Sequence, residues 1–234
     1  MILNENKEND VDERIRQLQE ITNREELLME EANRITTLLL DIGGVLLTNG
    51  WDRESRKHAA EKFGLDYEDI NERHHLTYDT YESGKLSLDE YLDRIVFYKP
   101  REFSRQEFRR FIFDRSRPHA DMTGLVKSLK EKYRLKVAAI SNEGREIAEY
   151  RIEKYRLREI FDFFMMSCFL HVRKPDADIY RMTLEVAQVR ADECVYIDDR
   201  EMFAKVAADI GISSIYHVSY DSTQKRLEKM NLAL

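Results

Sequence analysis

No stretch of this sequence approaches the roughly 18 apolar residues that a membrane-spanning helix requires, which argues against a membrane protein of that kind. The amino terminus lacks the basic, then apolar pattern of a secretory signal and is acidic and polar instead, so a cytoplasmic protein is the expectation. Cysteine is scarce: Cys168 and Cys194 each lie in an apolar, strand-like run, and their spacing builds neither a disulfide frame nor a metal knuckle. Buried free thiols are the reading. There is no internal repeat and no low-complexity tract. A broad basic surface is missing as well. The formal net charge is -7, and the leader, residues 1–34, holds ten acids against five bases, so the rest of the chain is close to neutral. That pattern gives no support to a nucleic-acid partner. One further absence is local. Position 43, two residues after Asp41, is glycine and carries no side chain.

What is present around that position is informative. Thr37 to Leu46 is an apolar run interrupted by one carboxylate, Asp41, and then Gly43-Gly44. Such a run suits a strand of a parallel sheet covered on both faces, and an Asp at its carboxyl end sits where open α/β sheets bind ligands. The two glycines let the chain turn sharply and bring backbone N–H groups close to an anion.

With 234 residues the chain can bury a sizeable core and carry a modest insertion. Val11 to Arg34 reads as a leader helix with Asp10 as its cap and a thin apolar stripe. From Glu54 to about Pro118 the pattern is helical, with a stop at Glu82-Ser83-Gly84-Lys85 and a capping-box start at Ser87 and Glu90. Alternation follows: helix 121–133, strand 135–140, helix 144–155, strand Phe161 to Cys168, a helix after Pro175, strand 194–197, helix 201–210, strand Ser213 to Val218, and a closing helix from Asp221. Strand and helix alternating in this way imply an α/β fold, a Rossmann-like parallel sheet with helices on both faces.

Three more segments end in polar residues that the pattern does not need for folding: Ser141-Asn142, Lys174-Pro175 and Asp198-Asp199. Each falls where a parallel sheet presents its carboxyl ends. Asp41 with Asp199, helped by Asp198, makes a hard oxygen site suited to Mg²⁺. A phosphate there would find Ser141 and the N–H groups of Ile42 and Gly43 as donors, with Lys174 as a point charge. Asp41 could then attack phosphorus and form an aspartyl-phosphate that water hydrolyses. Taken singly, each piece has a plainer reading as a helix cap, a helix entry or a solvated lysine. Four elements converging in this order on one sheet edge do not.

In that order the chain resembles the haloacid dehalogenase superfamily of hydrolases, with motifs at Asp41-Ile42-Gly43-Gly44-Val45-Leu46, Ser141-Asn142, Lys174-Pro175 and Asp198-Asp199. The resemblance implies a core over 35–53 and 119–234 and a small all-helical C1 cap over 54–118. It also implies a Mg²⁺-dependent phosphatase acting on a small-molecule phosphate ester. Asp41 would be the nucleophile, Ser141 and Asn142 phosphate contacts and Lys174 the charge anchor. Asp41, Asp199 and the Gly43 carbonyl would be metal ligands, with Asp198 behind them. Gly43 departs from the pattern, because most phosphatases of this superfamily carry there a second Asp that protonates the leaving group. Three readings follow: a substrate with a good leaving group, such as a sugar 1-phosphate; an acid from the cap, with His74, His75 and Glu82 as candidates; or a catalytically weak protein acting as a binding module. The motif is similar to the branch holding sugar-1-phosphate phosphatases and the phosphatase domain of soluble epoxide hydrolases, where glycine also occurs. Halide displacement is the rival chemistry, and the acidic pair at 198–199 counts against it.

Two other features have a bland and a sharp reading. The basic stretch Lys99, Arg101, Arg105, Arg109, Arg110, Arg115 and Arg117, interleaved with phenylalanines, reads as an amphipathic helix with a solvated basic face. Trp51 reads as packing at the joint between core and insertion. Oligomeric state leaves no mark on the sequence.

Overall fold

The structure, a computed structural model, describes residues 34–234. The expected leader helix capped at Asp10 lies outside the described residues, apart from Arg34 at its end. Five strands, β1 (Thr37–Leu40), β2 (Lys136–Ser141), β3 (Phe163–Met166), β4 (Cys194–Asp198) and β5 (Ser213–Tyr216), form one sheet in the order β3-β2-β1-β4-β5, every pair parallel. Side chains alternate across it. Leu38, Leu40, Val137, Ala139, Val195 and Ile197 enter one apolar cluster, while Leu39, Ala138, Ile140 and Tyr196 enter another on the opposite face. Burial on both faces is why these strands read as continuous apolar runs. The chain leaves β1 outward through β2 and β3 and returns on the other side as β4. A crevice therefore opens at the carboxyl ends of β1 and β4, the topological switch point where such sheets bind ligands.

Four helices, α1 (Arg53–Phe63), α2 (Tyr67–Glu82), α3 (Leu88–Ile95) and α4 (Arg105–Asp114), fill the insertion, and α5 (Ala120–Tyr133), α6 (Arg145–Lys154), α7 (Ser167–Leu170), α8 (Ala177–Ala187), α9 (Glu201–Asp209) and α10 (Tyr220–Glu228) accompany the strands. Ser87 and Ser104 start α3 and α4 with capping boxes closed by Glu90 and Glu107. The insertion has its own apolar cluster around Tyr91, Leu92, Ile95, Phe108 and Ile112, and Trp51 packs edge-on to Phe108 at 5.8 Å between ring centroids. The basic stretch behaves as expected: α4 buries Phe108 and Phe111, and Arg109 pairs with Asp89 at 2.7 Å on the exposed face.

The carboxyl end of α2 docks on the core. Ser167 Oγ donates to the Glu82 carbonyl at 2.7 Å, and Glu146 Oε1 accepts from the Leu88 N–H at 2.8 Å. Tyr81 lies over the amino terminus of α6 so closely that a Cβ at Gly144 would come within 1.9 Å of its ring. Only glycine admits that approach.

Two expected strands end early. The apolar run from Phe161 to Cys168 is strand only over Phe163–Met166, because Ser167 leaves the ladder to open α7, its hydroxyl also accepting from the Glu143 N–H at 3.0 Å. The last strand stops at Tyr216 instead of Val218. Apolar runs of this length do not by themselves separate a strand from a short buried helix. Cys168 and Cys194 are free and buried, and burial pushes each thiol up to about 12. No helix among the described residues is long and apolar enough to cross a membrane.

Candidate active site

Asp41 follows β1 directly, and its N–H still bonds the Ile197 carbonyl at 2.9 Å, which sets it level with Asp198 at the end of β4. The turn beyond needs Gly44. Its φ is +74°, and a Cβ there would lie 2.2 Å from Asp199 Oδ2, so both the backbone and the neighbouring carboxylate exclude a side chain. Carboxylate oxygens of Asp41, Asp198 and Asp199 come within 4.8 Å of one another.

Lys174 balances part of this charge. It is fully buried, with Nζ 3.1 Å from Asp41 Oδ2, 2.6 Å from Asp198 Oδ2 and 3.1 Å from the Tyr196 hydroxyl. Burial alone would lower its pKa, yet Asp41 and Asp198 outweigh burial and hold the ammonium above the ordinary lysine value. Asp41 is pushed up to about 6, chiefly by burial, against the pull of Lys174 and with the added repulsion of Asp198. A divalent cation in the trio would return it to the carboxylate form.

The carboxylates differ in what they have left to offer. Asp198 is taken up by Lys174 and the Tyr196 hydroxyl through Oδ2 and by the Arg200 N–H at 2.7 Å through Oδ1. Asp199 accepts from Asn49 Nδ2 at 2.8 Å through Oδ2, while its Oδ1 is buried without a hydrogen-bond partner. Arg200 Nε stands 3.7 Å from that oxygen, and a carboxylate with an unfilled hydrogen-bond position in a cluster of three fits a hard cation such as Mg²⁺.

The other expected site residues come close by, two of them with altered contacts. Asn142 clasps the backbone of Lys174, its Nδ2 donating to the Lys174 carbonyl and its Oδ1 accepting the Lys174 N–H, both at 2.8 Å. Much of the carboxamide is thereby committed to holding the lysine in place. The Ile42 N–H, expected on a phosphate, donates to Asp41 Oδ1 at 2.7 Å. Ser141 is buried at the end of β2, and its hydroxyl acts on Asp41 to oppose the upward shift. Gly43 is followed closely by Asn49, whose Oδ1 would stand 2.9 Å from a Cβ at that position.

A cavity of about 370 Å³ opens on Asp41, Asn142, Lys174 and Asp199, and Trp51, Arg56, His74, Tyr78 and Tyr91 wall it from the insertion side. Of the three candidate cap acids, Glu82 and His74 reach this cavity, whereas His75 is exposed and does not line it. His74 Nδ1 lies 2.6 Å from the Tyr91 hydroxyl, which accepts from Trp51 Nε1 at 2.9 Å. Burial, with the repulsion of Arg56, pulls the imidazole down to about 3, so it is neutral at physiological pH. Glu82 is raised by burial and bound to Arg173 at 2.7 Å.

Sequence reasoning missed Glu143, Arg151, Asn49 and Arg56. Glu143 lines the cavity and is pushed up to about 7 by burial, against the pull of Arg151 at 3.0 Å. Arg151 is almost wholly buried and also donates to Ser116 Oγ at 3.0 Å and to the Thr48 carbonyl at 3.1 Å, fastening both crossings between core and insertion. A signal for Glu143 was its place directly after Ser141-Asn142. None existed for the two arginines.

The family model for haloacid dehalogenase-like hydrolases matches residues 35–211. Over 74 residues the chain is 34% identical to bifunctional epoxide hydrolase 2 of Sus scrofa, a match that spans 32% of this chain and only 13% of that protein. It is 24% identical over 184 residues to the phosphorylated carbohydrates phosphatase of Thermotoga maritima, covering 77% of this chain and 84% of that one. Among solved structures, a wild-type HAD family enzyme of Bacteroides thetaiotaomicron in complex with magnesium and inorganic phosphate superposes with a TM-score of 0.67 at 26% identity, covering 77% of this chain and 93% of the other.

Proposed function

The chain belongs to the haloacid dehalogenase-like hydrolase family, and from that premise we propose that it hydrolyses a small phosphate ester with Asp41 as nucleophile and Mg²⁺ as cofactor. The observation that carries this reading is the trio Asp41, Asp198 and Asp199 around a fully buried Lys174, with one Asp199 oxygen that receives no hydrogen bond. Asp41, Asp199 and the Gly43 carbonyl would hold the ion, which supplies positive charge against the phosphoryl oxygens. The magnesium and phosphate in the similar Bacteroides enzyme support the assignment.

The chain's own residues carry the steps. Lys174 and the Ser141 hydroxyl orient the phosphoryl group, and Asp41 forms a bond to phosphorus as the ester P–O bond breaks. Water then attacks the acyl phosphate and regenerates the Asp41 carboxylate. No side chain at position 43 is available to protonate the departing oxygen. His74 is neutral, and Glu82 and Glu143 are each held by an arginine; a leaving group that departs with little help, such as the anomeric oxygen of a sugar 1-phosphate, asks least of them. The phosphatase of carbohydrates in Thermotoga is in keeping with that class. The acidic trio also argues against halide displacement, which uses no divalent ion.

Asp41→Asn should abolish hydrolysis of p-nitrophenyl phosphate and glucose 1-phosphate in Mg²⁺ buffer while leaving the melting temperature within a few degrees of the parent. Retained turnover in that variant, or undiminished turnover of the parent in EDTA, would overturn the mechanism.

A further inference from the structure

The insertion side of the cavity carries a charge that the proposed chemistry does not use. Arg56, on the first turn of α1, is 5% exposed and lines the same cavity as Asp41. Its guanidinium is held entirely by neutral acceptors: Nη1 donates to the Trp51 carbonyl at 3.1 Å, and Nε and Nη2 donate to Asn71 Oδ1 at 3.3 and 3.1 Å. No carboxylate among the described residues forms an ion pair with it. Burial accordingly pulls its pKa below the usual arginine value, although a guanidinium stays charged.

The carboxylates facing this cavity are each engaged elsewhere. Asp41 pairs with Lys174, Glu82 with Arg173, and Glu143 with Arg151. Asp199 is bound by Asn49, and Asp52 caps α1 through the Ser55 N–H at 2.8 Å. A buried cation without a counter-charge is costly, and an anionic group on a ligand would offset that cost through charge-assisted hydrogen bonds. Next to it His74 turns a neutral ring. Its Nδ1 lies 2.6 Å from the Tyr91 hydroxyl, which accepts from Trp51; in the tautomer where that hydroxyl donates to Nδ1, Nε2–H is left as a donor.

We propose that Arg56, with His74 beside it, binds a second anionic group on the substrate, a carboxylate or a second phosphate, at the end of the molecule away from the phosphate that Asp41 attacks. This specifies the substrate class of the phosphatase reading and rests on it. A cavity of about 370 Å³ lies at the small end of ligand sites, so both anions belong to one compact molecule.

The test separates the two anions and also separates this subsite from the reaction. Binding of glucose 1-phosphate, glucuronic acid 1-phosphate and glucose 1,6-bisphosphate to the full-length Asp41→Asn protein with Mg²⁺ is measured by calorimetry, and p-nitrophenyl phosphate hydrolysis by the parent protein independently reports on phosphatase activity. At least one doubly anionic probe should bind about 10- to 100-fold more tightly than glucose 1-phosphate, the size of a charge-assisted hydrogen bond. Adding Arg56→Gln should remove that advantage, and Arg56→Lys should restore part of it. A carboxylate site favours the glucuronic acid probe, and a phosphate site favours the bisphosphate. Equal affinity for all three probes, no binding of either doubly anionic one, or a loss on Arg56→Gln that is the same for every probe overturns the subsite. If p-nitrophenyl phosphate is hydrolysed in any of those cases, the phosphatase reading still stands.

Discussion

Replacing Lys174 by Met should turn the site from a balanced cluster into a source of strain. The side chain is fully buried, and its ammonium is the partner of both Asp41, at 3.1 Å, and Asp198, at 2.6 Å. Methionine fills nearly the same volume, so the loss is of charge and not of packing. Removing one partner of a buried ion pair costs about 3 to 5 kcal/mol, about a fifth or more of the stability of a typical domain. The protein has one route of escape, which is to protonate Asp41. That carboxyl is pushed up to about 6 with the lysine present, and without the lysine it goes higher. Measured from the ordinary carboxyl value of 3.8, protonation costs about 6 kcal/mol at pH 8 and about 2 kcal/mol at pH 5.5, so the destabilisation should shrink as the pH falls. Added Mg²⁺ should recover part of it at pH 8. Urea unfolding in EDTA at the two pH values, and again with Mg²⁺, reads all three effects. A loss below about 1 kcal/mol at pH 8 would show that the cluster does not depend on the lysine charge. A loss equal at both pH values would assign it to packing.

Two further outcomes follow from the cavity wall. His74 is 8% exposed, and its pKa falls from 6.5 to about 3, so the unfolded chain binds a proton that the folded one refuses. Stability from this source is complete above pH 6.5 and drains away as the pH drops towards 3, by about 2 kcal/mol at pH 5. His74→Asn, which keeps an acceptor for Tyr91, should lessen the difference in unfolding free energy between pH 7 and pH 5. An unchanged difference would mean that the imidazole is not the group refusing the proton. Gly43→Asp tests the missing acid. Its φ is not in the left-handed range, and the closest atom to a new Cβ is the end of the Asn49 side chain at 2.9 Å, which can swing aside. Hydrolysis of alkyl phosphates should then rise relative to p-nitrophenyl phosphate, by up to the ~10²-fold that general acid catalysis contributes at its lower end. An equal change for both leaving groups would refute a proton-donor role.

The parallel sheet was legible because burial on both faces leaves its mark residue by residue: Leu38, Leu39 and Leu40 are all apolar since each points into a filled layer. The chemistry was legible for a related reason. Asp41 and Asp198 end such runs where folding alone would not place a charge, Lys174 stands in a loop before Pro175, and the structure brings the three within hydrogen-bond reach. Arg56 and Arg151 escaped notice because an arginine in a helical segment carries no sign in the sequence of being buried. Their burial comes from where the insertion folds back, at Trp51, Asn71 and Ser116, and no local period encodes that. The contacts of Ile42 and Asn142 were not legible either: the Ile42 N–H bonds Asp41 and the Asn142 carboxamide clasps the Lys174 backbone. Backbone and carboxamide groups next to a buried carboxylate or lysine find partners in the protein before any ligand arrives.

The balance of charge ties the two ends of the cavity together. Three carboxylates share one ammonium at the end of the sheet, and the excess there equals the charge of one divalent cation. With that ion in place the sheet end is near neutral, and an incoming phosphate brings new negative charge into a partly enclosed space. Arg173 and Arg151 are already matched by Glu82 and Glu143, and Arg200 stands 3.7 Å from Asp199. Among the described residues, Arg56 is the buried cation on the wall that forms no ion pair with a carboxylate. A singly phosphorylated neutral sugar would leave it unmatched, at the cost of a desolvated charge. A compact substrate with an anion at each end would satisfy both the cluster at Asp41 and the guanidinium across from it. The same substrate would also be held at two points, which fixes the scissile bond in line with the Asp41 carboxylate. Positioning of that kind raises the rate without a proton donor, and it is the form of help still open to a site whose second acid is a glycine.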